Sequence, residues 1–291
     1  MPDDSESSRK ARSRGYHSGG VGTVISVDDV QRQAEAISQE GLDAAHLTGL
    51  TNGTPYVDIS GLRAGYWKME ILHDLHLKVA KGQSLCLIGP NGAGKSTVLH
   101  SIFGFTNIFA CSIQVGGTDI TALKSNDKLK QAGIAYILQD KSVFPGMTVE
   151  ENLWMGGYLM DSPAKAREAS EKILKKYPRL AERRKHAAGV LSGGERRLLE
   201  ISRALVMGPE VLLVDEPSIG LEPRFIDMVF GILDDLQREE GKTIVMVEQN
   251  AKRGLEFADI GYVMVSGNIA IAGSGDELLD NPDVGRLFLG G

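Results

Sequence analysis

The stretch GPNGAGKST, Gly89 to Thr97, stands between the apolar run LCLI and the helix-like VLHSIF. It fits G-x-x-x-x-G-K-[ST] in the context that gives this spacing meaning, after a strand and opening a helix. Gly89, Gly92 and Gly94 can take backbone angles closed to other residues, so successive N–H groups can turn inward. At a helix N-terminus such a nest attracts an anion through its donors and through the helix dipole. Lys95 then reaches the outer phosphates of a nucleoside triphosphate and the Ser96 hydroxyl ligates Mg²⁺, with Pro90, Asn91, Ala93 and Thr97 completing the cradle.

The pattern around the loop fits an open parallel sheet. YVDISGLRAGY (56–66) alternates and then turns, as a strand exposed on one face does. DLHLKVAKGQSLCLIG gives a second strand, a turn at Lys81–Gly82 and a nearly continuous apolar strand. Further buried strands are expected at 133–138, 211–216 and 242–248, with helices over 149–160, 162–177, 195–206 and 225–240. The alternation predicts an α/β chain of the P-loop type: a mostly parallel sheet flanked by helices, an antiparallel β subdomain and a helical insert at about 140–190. This domain is expected to span 56–291. Residues 1–55 read as a largely disordered extension, in which Val30, Ala34 and Ile37 would allow one thin amphipathic helix.

Composition narrows the classes. The 291 residues are 42% hydrophobic and 24% charged, ordinary for a globular chain, and the net charge of -6 argues against a nucleic-acid partner. The basic run ERRK (182–185) is short and flanked by acids, as on a solvated helix face. Cys86 and Cys111 are too few and too separate for a disulfide framework and read as reduced structural thiols. No apolar run reaches the ~18–20 residues that cross a bilayer, and MPDDSESSRKARSRGYHSGG has no apolar signal core. The expectation is a soluble chain that meets a membrane only through partners.

Two further motifs carry chemistry. VLLVDEP places Asp215 and Glu216 at the carboxyl end of a buried strand, where open parallel sheets hold their ligands. Asp215 would hold the Mg²⁺, and Glu216 would polarise the attacking water. LSGGE (191–195) opens a helix with Ser192, Gly193 and Gly194, a second potential anion grip. Taken alone, a serine and two glycines before a helix more often form a simple N-cap. One nucleotide has no evident need of two such helix ends on one protomer, so a head-to-tail dimer, each copy closing on its partner's nucleotide, accounts for both.

Together these motifs resemble the ATP-binding subunits of ABC transporters over about 56–291. GPNGAGKST resembles the Walker A loop, LSGGE with Glu195 the signature motif, VLLVDEP the Walker B strand and SIGLEP (218–223) the loop after it. The resemblance implies that Gln139 senses the γ-phosphate and Mg²⁺ beside the helical insert. It implies that Tyr66 stacks on adenine, with Trp67 as a competitor, and that Ser192 and Gly194 contact the partner's nucleotide. Gln249 stands where most relatives carry a histidine, and would orient the γ-phosphate as a neutral donor while Glu216 supplies the base. Glu222 replaces the usual aspartate, which puts its contact across the dimer seam in question.

VEQN (247–250), VFPGMTVEENLWMGGYL and NPDVGRLFLGG are similar to the branched-chain amino-acid importer subtype. That resemblance implies an ATPase powering uptake of branched-chain or other hydrophobic amino acids from the cytoplasmic face of the cell membrane. Its partners would be integral membrane permease subunits, a second ATP-binding subunit (sister or self) and, indirectly, a solute-binding protein. Urea or short-amide importers, lipopolysaccharide export and soluble ABC ATPases are the alternatives. Phe144, Met147, Leu153, Trp154, Met155, Tyr158, Leu159 and Met160 are candidates for the membrane-docking groove. Ser192→Arg is expected to lower ATP turnover at least about tenfold while single-copy nucleotide binding changes less than about twofold. Unchanged turnover in a coupled ATPase assay would refute the shared clasp.

Overall fold

Two sheets hold one helix between them. In the computed structural model, which describes residues 44–139 and 142–289, helix α1 (Ala44–Gly49) leads into the antiparallel pair β1 (Pro55–Tyr66) and β2 (Met69–Ala80), then β3 (Ser84–Ile88). The glycine loop follows and opens α2 (Lys95–Phe103), after which β4 (Asn107–Val115) and β5 (Thr118–Asp119) complete a four-stranded sheet, order β2-β1-β4-β5. Helix α3 (Ser125–Ala132) leads to β6 (Ile134–Ile137), and α4 (Val149–Gly156), α5 (Pro163–Lys176) and α6 (Pro178–Glu182) form a helical arm. The chain returns through α7 (Gly193–Leu205), β7 (Val211–Asp215), α8 (Pro223–Arg238), β8 (Thr243–Val247), α9 (Ala251–Phe257), β9 (Ile260–Val265) and β10 (Asn268–Ser274), ending in α10 (Gly275–Asp280) and α11 (Pro282–Phe288). The second sheet has the order β10-β9-β3-β8-β7-β6, parallel except for β10.

Every residue of β3, β7 and β8 is buried, as strands covered on both faces must be. Alternation along β7 divides the interior. Leu213 faces the core around α2, with Val98, Leu99 and Ile102, while Leu212 and Val214 face the core beneath α7 and α8. The fold class is the one expected, and the helical arm lies within 149–182.

Several boundaries differ from the sequence pattern. Helix α4 stops at Gly156 instead of running to 160 because Gly156 and Gly157 carry the backbone into contact: a Cβ on Gly156 would lie 2.4 Å from the Arg203 carbonyl oxygen, and one on Gly157 2.6 Å from the Ala166 Cβ. Strands β4, β5, β9 and β10 were not expected individually. The amphipathic pattern at 27–38 lies outside the described residues, as does the extension up to residue 43. Residues 44–55, placed with that extension by composition, attach to the body: Leu47 is 2% exposed and His46 Nε2 lies 2.9 Å from the Ala272 carbonyl oxygen.

Gly267, in the turn between β9 and β10, joins three segments. Its N–H donates to the Ala93 carbonyl oxygen (3.0 Å) and its own carbonyl accepts from the His73 N–H (3.1 Å). Its φ is +80°, and a Cβ there would lie 1.9 Å from the Ile71 carbonyl oxygen. Gly267→Ala is expected to lose at least about 1–3 kcal/mol of stability from backbone strain alone. An unchanged urea midpoint would show that the turn relaxes freely.

Candidate functional site

The glycine loop has the conformation that its composition requires. Gly89, Gly92 and Gly94 have φ of 141°, 83° and 95°. Gly89 has a second constraint, since a Cβ there would lie 2.2 Å from the Met264 carbonyl oxygen. Gly94 caps α2 without a side chain, which leaves the first N–H groups of that helix open to an anion. Lys95 is 6% exposed, and its ammonium donates to the carbonyl oxygens of Gly89 (2.8 Å) and Pro90 (3.0 Å). Burial draws its pKa down, against the pull of Glu216 and Asp215. A lysine ammonium has three donors, so one remains for a phosphate oxygen.

Strand β7 brings its two carboxylates to this loop. Asp215 accepts from the Ser96 hydroxyl on one oxygen (3.0 Å) and from the Tyr136 hydroxyl on the other (2.8 Å). Ser96 and Asp215 thus offer hard oxygen donors side by side, the chemistry Mg²⁺ takes when phosphate and water complete its shell. Glu216 has a φ of 43° and is anchored by its N–H to the Val247 carbonyl oxygen (2.9 Å). Gln139 donates to its carboxylate (2.9 Å). Burial first, and then the Asp215 charge, raise the Glu216 pKa above the ordinary carboxylate value.

Tyr66 and Trp67 form the edge of the site and differ sharply. The Tyr66 hydroxyl is bonded to His100 Nδ1 on α2, and the rings meet edge to face. Trp67 is 90% exposed with φ of 57°, and its N–H is held by Asn107 Oδ1 at 3.0 Å. Of the two, Tyr66 is fixed to the phosphate-loop helix and Trp67 is the free ring.

Ser192, Gly193, Gly194 and Glu195 form the N-terminal end of α7, with Ser192 and Gly193 exposed, Glu195 half-buried and Gly194 buried. Ser192 and Glu195 cap one another: the Glu195 N–H donates to Ser192 Oγ (3.3 Å) and the Ser192 N–H to Glu195 Oε2 (2.9 Å). Gly194 must be glycine, because a Cβ would meet the Phe225 ring at 2.1 Å. Among the described residues no hydrogen bond joins this tip to the Gly89–Thr97 loop of the same chain. The Gln249 side chain is exposed, while Glu222 pairs with Arg224 at 3.1 Å on the surface.

Three residues passed over in the sequence organise the site. Tyr136 has a signal, a single phenol in the otherwise aliphatic GIAYIL. Glu248, 1% exposed, accepts from the Ser218 hydroxyl (2.7 Å) and the N–H groups of Gln249 (2.8 Å) and Asn250 (2.9 Å). Arg197, the third, joins α7 to the end of β7. Nearby, Phe144, Met155 and Tyr158 are 44%, 38% and 77% exposed and border a groove of about 300 Å³ with Tyr136, Glu200 and Arg203. Leu153 is wholly buried, whereas Met147, Trp154, Leu159 and Met160 are partly so.

Comparison with known proteins places this geometry. The family model described as ABC transporter matches residues 72–219. The high-affinity branched-chain amino acid transport ATP-binding protein BraG of Pseudomonas aeruginosa is 42% identical over 78% of this chain and 96% of its own length. The probable branched-chain amino acid transport ATP-binding protein LivF of Archaeoglobus fulgidus is 38% identical over 79% of this chain and 96% of its own length. The lipopolysaccharide export system ATP-binding protein LptB of Haemophilus influenzae is 30% identical over 79% and 95%. The solved ADP conformation of MJ1267, an ATP-binding cassette of an ABC transporter, superposes with a TM-score of 0.72 at 28% identity, covering 82% of this chain and all of that one.

Arg197 makes the helix tip and the carboxylate strand one rigid unit. At 4% exposure it donates to the Leu138 carbonyl oxygen (2.8 Å), to Glu200 (2.9 Å) and to the Asp215 carbonyl oxygen (3.3 Å). Arg197→Met leaves the buried Glu200 carboxylate unpaired, so a loss of about 3–5 kcal/mol is expected in urea unfolding. A loss below about 1 kcal/mol would mean that the contacts of Arg197 with Glu200 and with the Asp215 carbonyl are not what holds this end of α7 in place.

Proposed function

The chain belongs to the ABC transporter ATP-binding family, and on that footing we propose that it is the ATP-hydrolysing subunit of an importer for branched-chain or other hydrophobic amino acids. The supporting observation is that BraG and LivF, at 42% and 38% identity, are more alike to this chain than the lipopolysaccharide-export protein LptB at 30%. VEQN at 247–250 supports the same choice.

Each residue has a task in that reading. The N–H groups of the Gly89–Thr97 cradle hold the phosphates of ATP, with Lys95 adding its third donor. Asp215 and Ser96 hold Mg²⁺, with Gln139 nearby; bound there, the ion neutralises charge between the phosphates. Glu216 takes the proton of the attacking water, its raised pKa making it the better base and Gln139 aiming its carboxylate. Gln249 gives the γ-phosphate a neutral donor. Tyr66 borders the adenine, and Ser192, Gly193, Gly194 and Glu195 of one copy close on the nucleotide of a sister or identical subunit. Phe144, Met155 and Tyr158 receive the membrane permease subunits at the cytoplasmic face, and a solute-binding protein delivers the solute from the other side. No helix among the described residues is long and apolar enough to cross a membrane itself.

The complex retained in detergent, returned to vesicles, is expected to take up labelled leucine, isoleucine or valine when ATP is supplied. With Glu216→Gln, uptake and turnover are expected to fall at least about a hundredfold while ATP still binds and a dimer accumulates in gel filtration. ATP turnover without uptake of any of the three would overturn the assigned solute. Normal turnover by Glu216→Gln would overturn the assigned base.

A further inference from the structure

The backbone at Tyr66 is held from both sides. Gly65, before it, runs so close to β2 that a Cβ there would lie 1.9 Å from the Met69 carbonyl oxygen. Trp67, after it, opens the turn that pairs Tyr66 with Met69, and Asn107 of β4 holds the Trp67 N–H at 3.0 Å. What remains free is the rotation of the Tyr66 ring about its own χ angles.

His100 sets that rotation. Its Nδ1 is the only hydrogen-bond partner of the Tyr66 hydroxyl among the described residues, and the two rings meet edge to face with centres 6.1 Å apart. The imidazole is itself enclosed by the rings of Phe105, centred 5.8 Å away, and Tyr136, at 5.7 Å. Burial draws its pKa down, against the pull of Asp215. A neutral imidazole takes the phenol O–H on Nδ1 in one tautomer and gives it an N–H in the other, so the bond survives either assignment. His100 also stands on α2, whose first residue is Lys95. One helix thus bears the phosphate donors at its N-terminus and, one turn further on, the group that aims the Tyr66 ring.

We infer that His100 is a positioning residue for the adenine end of the nucleotide: its bond holds Tyr66 in a single rotamer, ready to stack on a base whose phosphates lie in the Gly89–Thr97 cradle. The inference rests on the reading of Tyr66 as the adenine contact and adds the residue that makes that contact pre-organised. Without the bond, a ring shared among about three staggered χ1 wells is competent about a third of the time, and apparent nucleotide affinity falls about threefold. The loss belongs to the base alone. The phosphates keep Lys95 and the N–H groups of the cradle, none of which His100 touches.

Calorimetry on the purified full-length chain tests it with two probes, ADP, which has the base and is not turned over, and inorganic pyrophosphate, which has phosphates alone. His100→Phe keeps a ring against Phe105 and Tyr136 and drops the bond; it is expected to weaken ADP at least about threefold and pyrophosphate less than about 1.5-fold. In ATP turnover the same variant should raise KM by the ADP factor and leave kcat within about twofold. His100→Asn, whose amide puts a bonding atom where Nδ1 stood, is expected to restore ADP binding to within about twofold of the unmodified chain. Tyr66→Phe removes only a hydroxyl and is expected to match His100→Phe, with the double variant no weaker than either. Equal losses for ADP and pyrophosphate in His100→Phe would make His100 a mere support of α2 and overturn the inference, as would unchanged ADP affinity in Tyr66→Phe. Tyr66→Ala separates the two levels. If it weakens ADP selectively while His100→Phe and Tyr66→Phe do not, the positioning role falls and the adenine contact stands. If Tyr66→Ala binds ADP as tightly as the unmodified chain, the adenine contact itself falls.

Discussion

The Asp215 carboxylate is the point where the elements of the nucleotide site are held in register. One oxygen takes the Ser96 hydroxyl of α2, the other takes the Tyr136 hydroxyl of β6, and the backbone carbonyl takes Arg197 of α7. Three elements distant in sequence are thereby fixed on the end of one strand. Hydrogen bonds to a carboxylate are about twice as strong as neutral ones, and here they lie at the edge of a dry sheet, where a rotated carboxylate would leave two hydroxyls unpaired. The orientation of the acidic pair is therefore a property of the whole sheet end and not of β7 alone.

The same economy governs the helix tip at Ser192. Its serine and glutamate already satisfy one another in a capping box, which is the bland role that such a motif has in any helix. The box satisfies the Ser192 and Glu195 N–H groups and leaves Gly193 exposed at the tip, while Gly194 packs against Phe225, so capping and an anion at Gly193 are compatible in one tip. Arg197, one turn in, makes that tip rigid relative to Asp215. A force on the tip is therefore passed to the carboxylate strand through buried, charge-assisted contacts of Arg197.

How much could be read from sequence followed from how each feature is encoded. The loop, β3, β7 and β8 were legible because glycine conformation and two-sided burial leave compositional marks, GPNGAGKST in one case and LCLI, VLLVD and TIVMV in the others. Asp215, Ser96, Gln139 and Glu216 were each chosen from motif position, and the fold brings them together within hydrogen-bond reach of one another in pairs. The early stop of α4 was hidden because the pattern VEENLWMGGYLM continues at helical spacing, while the reason to stop is the approach of Arg203 from another helix. Tyr136, Arg197 and Glu248 were hidden for a related reason. The partners that tie them to other elements, Asp215 for Tyr136 and Arg197 and Ser218 for Glu248, lie 18 to 79 positions away in the chain, and no local period records such a pairing.

Strain and signal coincide at Glu216. A non-glycine residue with φ of 43° is costly and persists only where its surroundings over-determine it. Here the backbone is pinned by its N–H to the Val247 carbonyl oxygen and the side chain by Gln139. Gln139 closes the segment that follows β6, so its bond to Glu216 ties that segment to the end of β7. The arm is in turn fastened at its base, where the buried Glu150 carboxylate accepts from Arg184 at 2.5 Å and from Lys185, and it presents Phe144, Met155 and Tyr158 at its exposed groove. One exposed glutamine is thus the side-chain partner of the strained Glu216. Two contacts join β6 and the residues after it to the acidic pair: the exposed Gln139–Glu216 bond, for which water can compete, and the partly buried Tyr136–Asp215 bond, which ties a groove residue to the carboxylate strand.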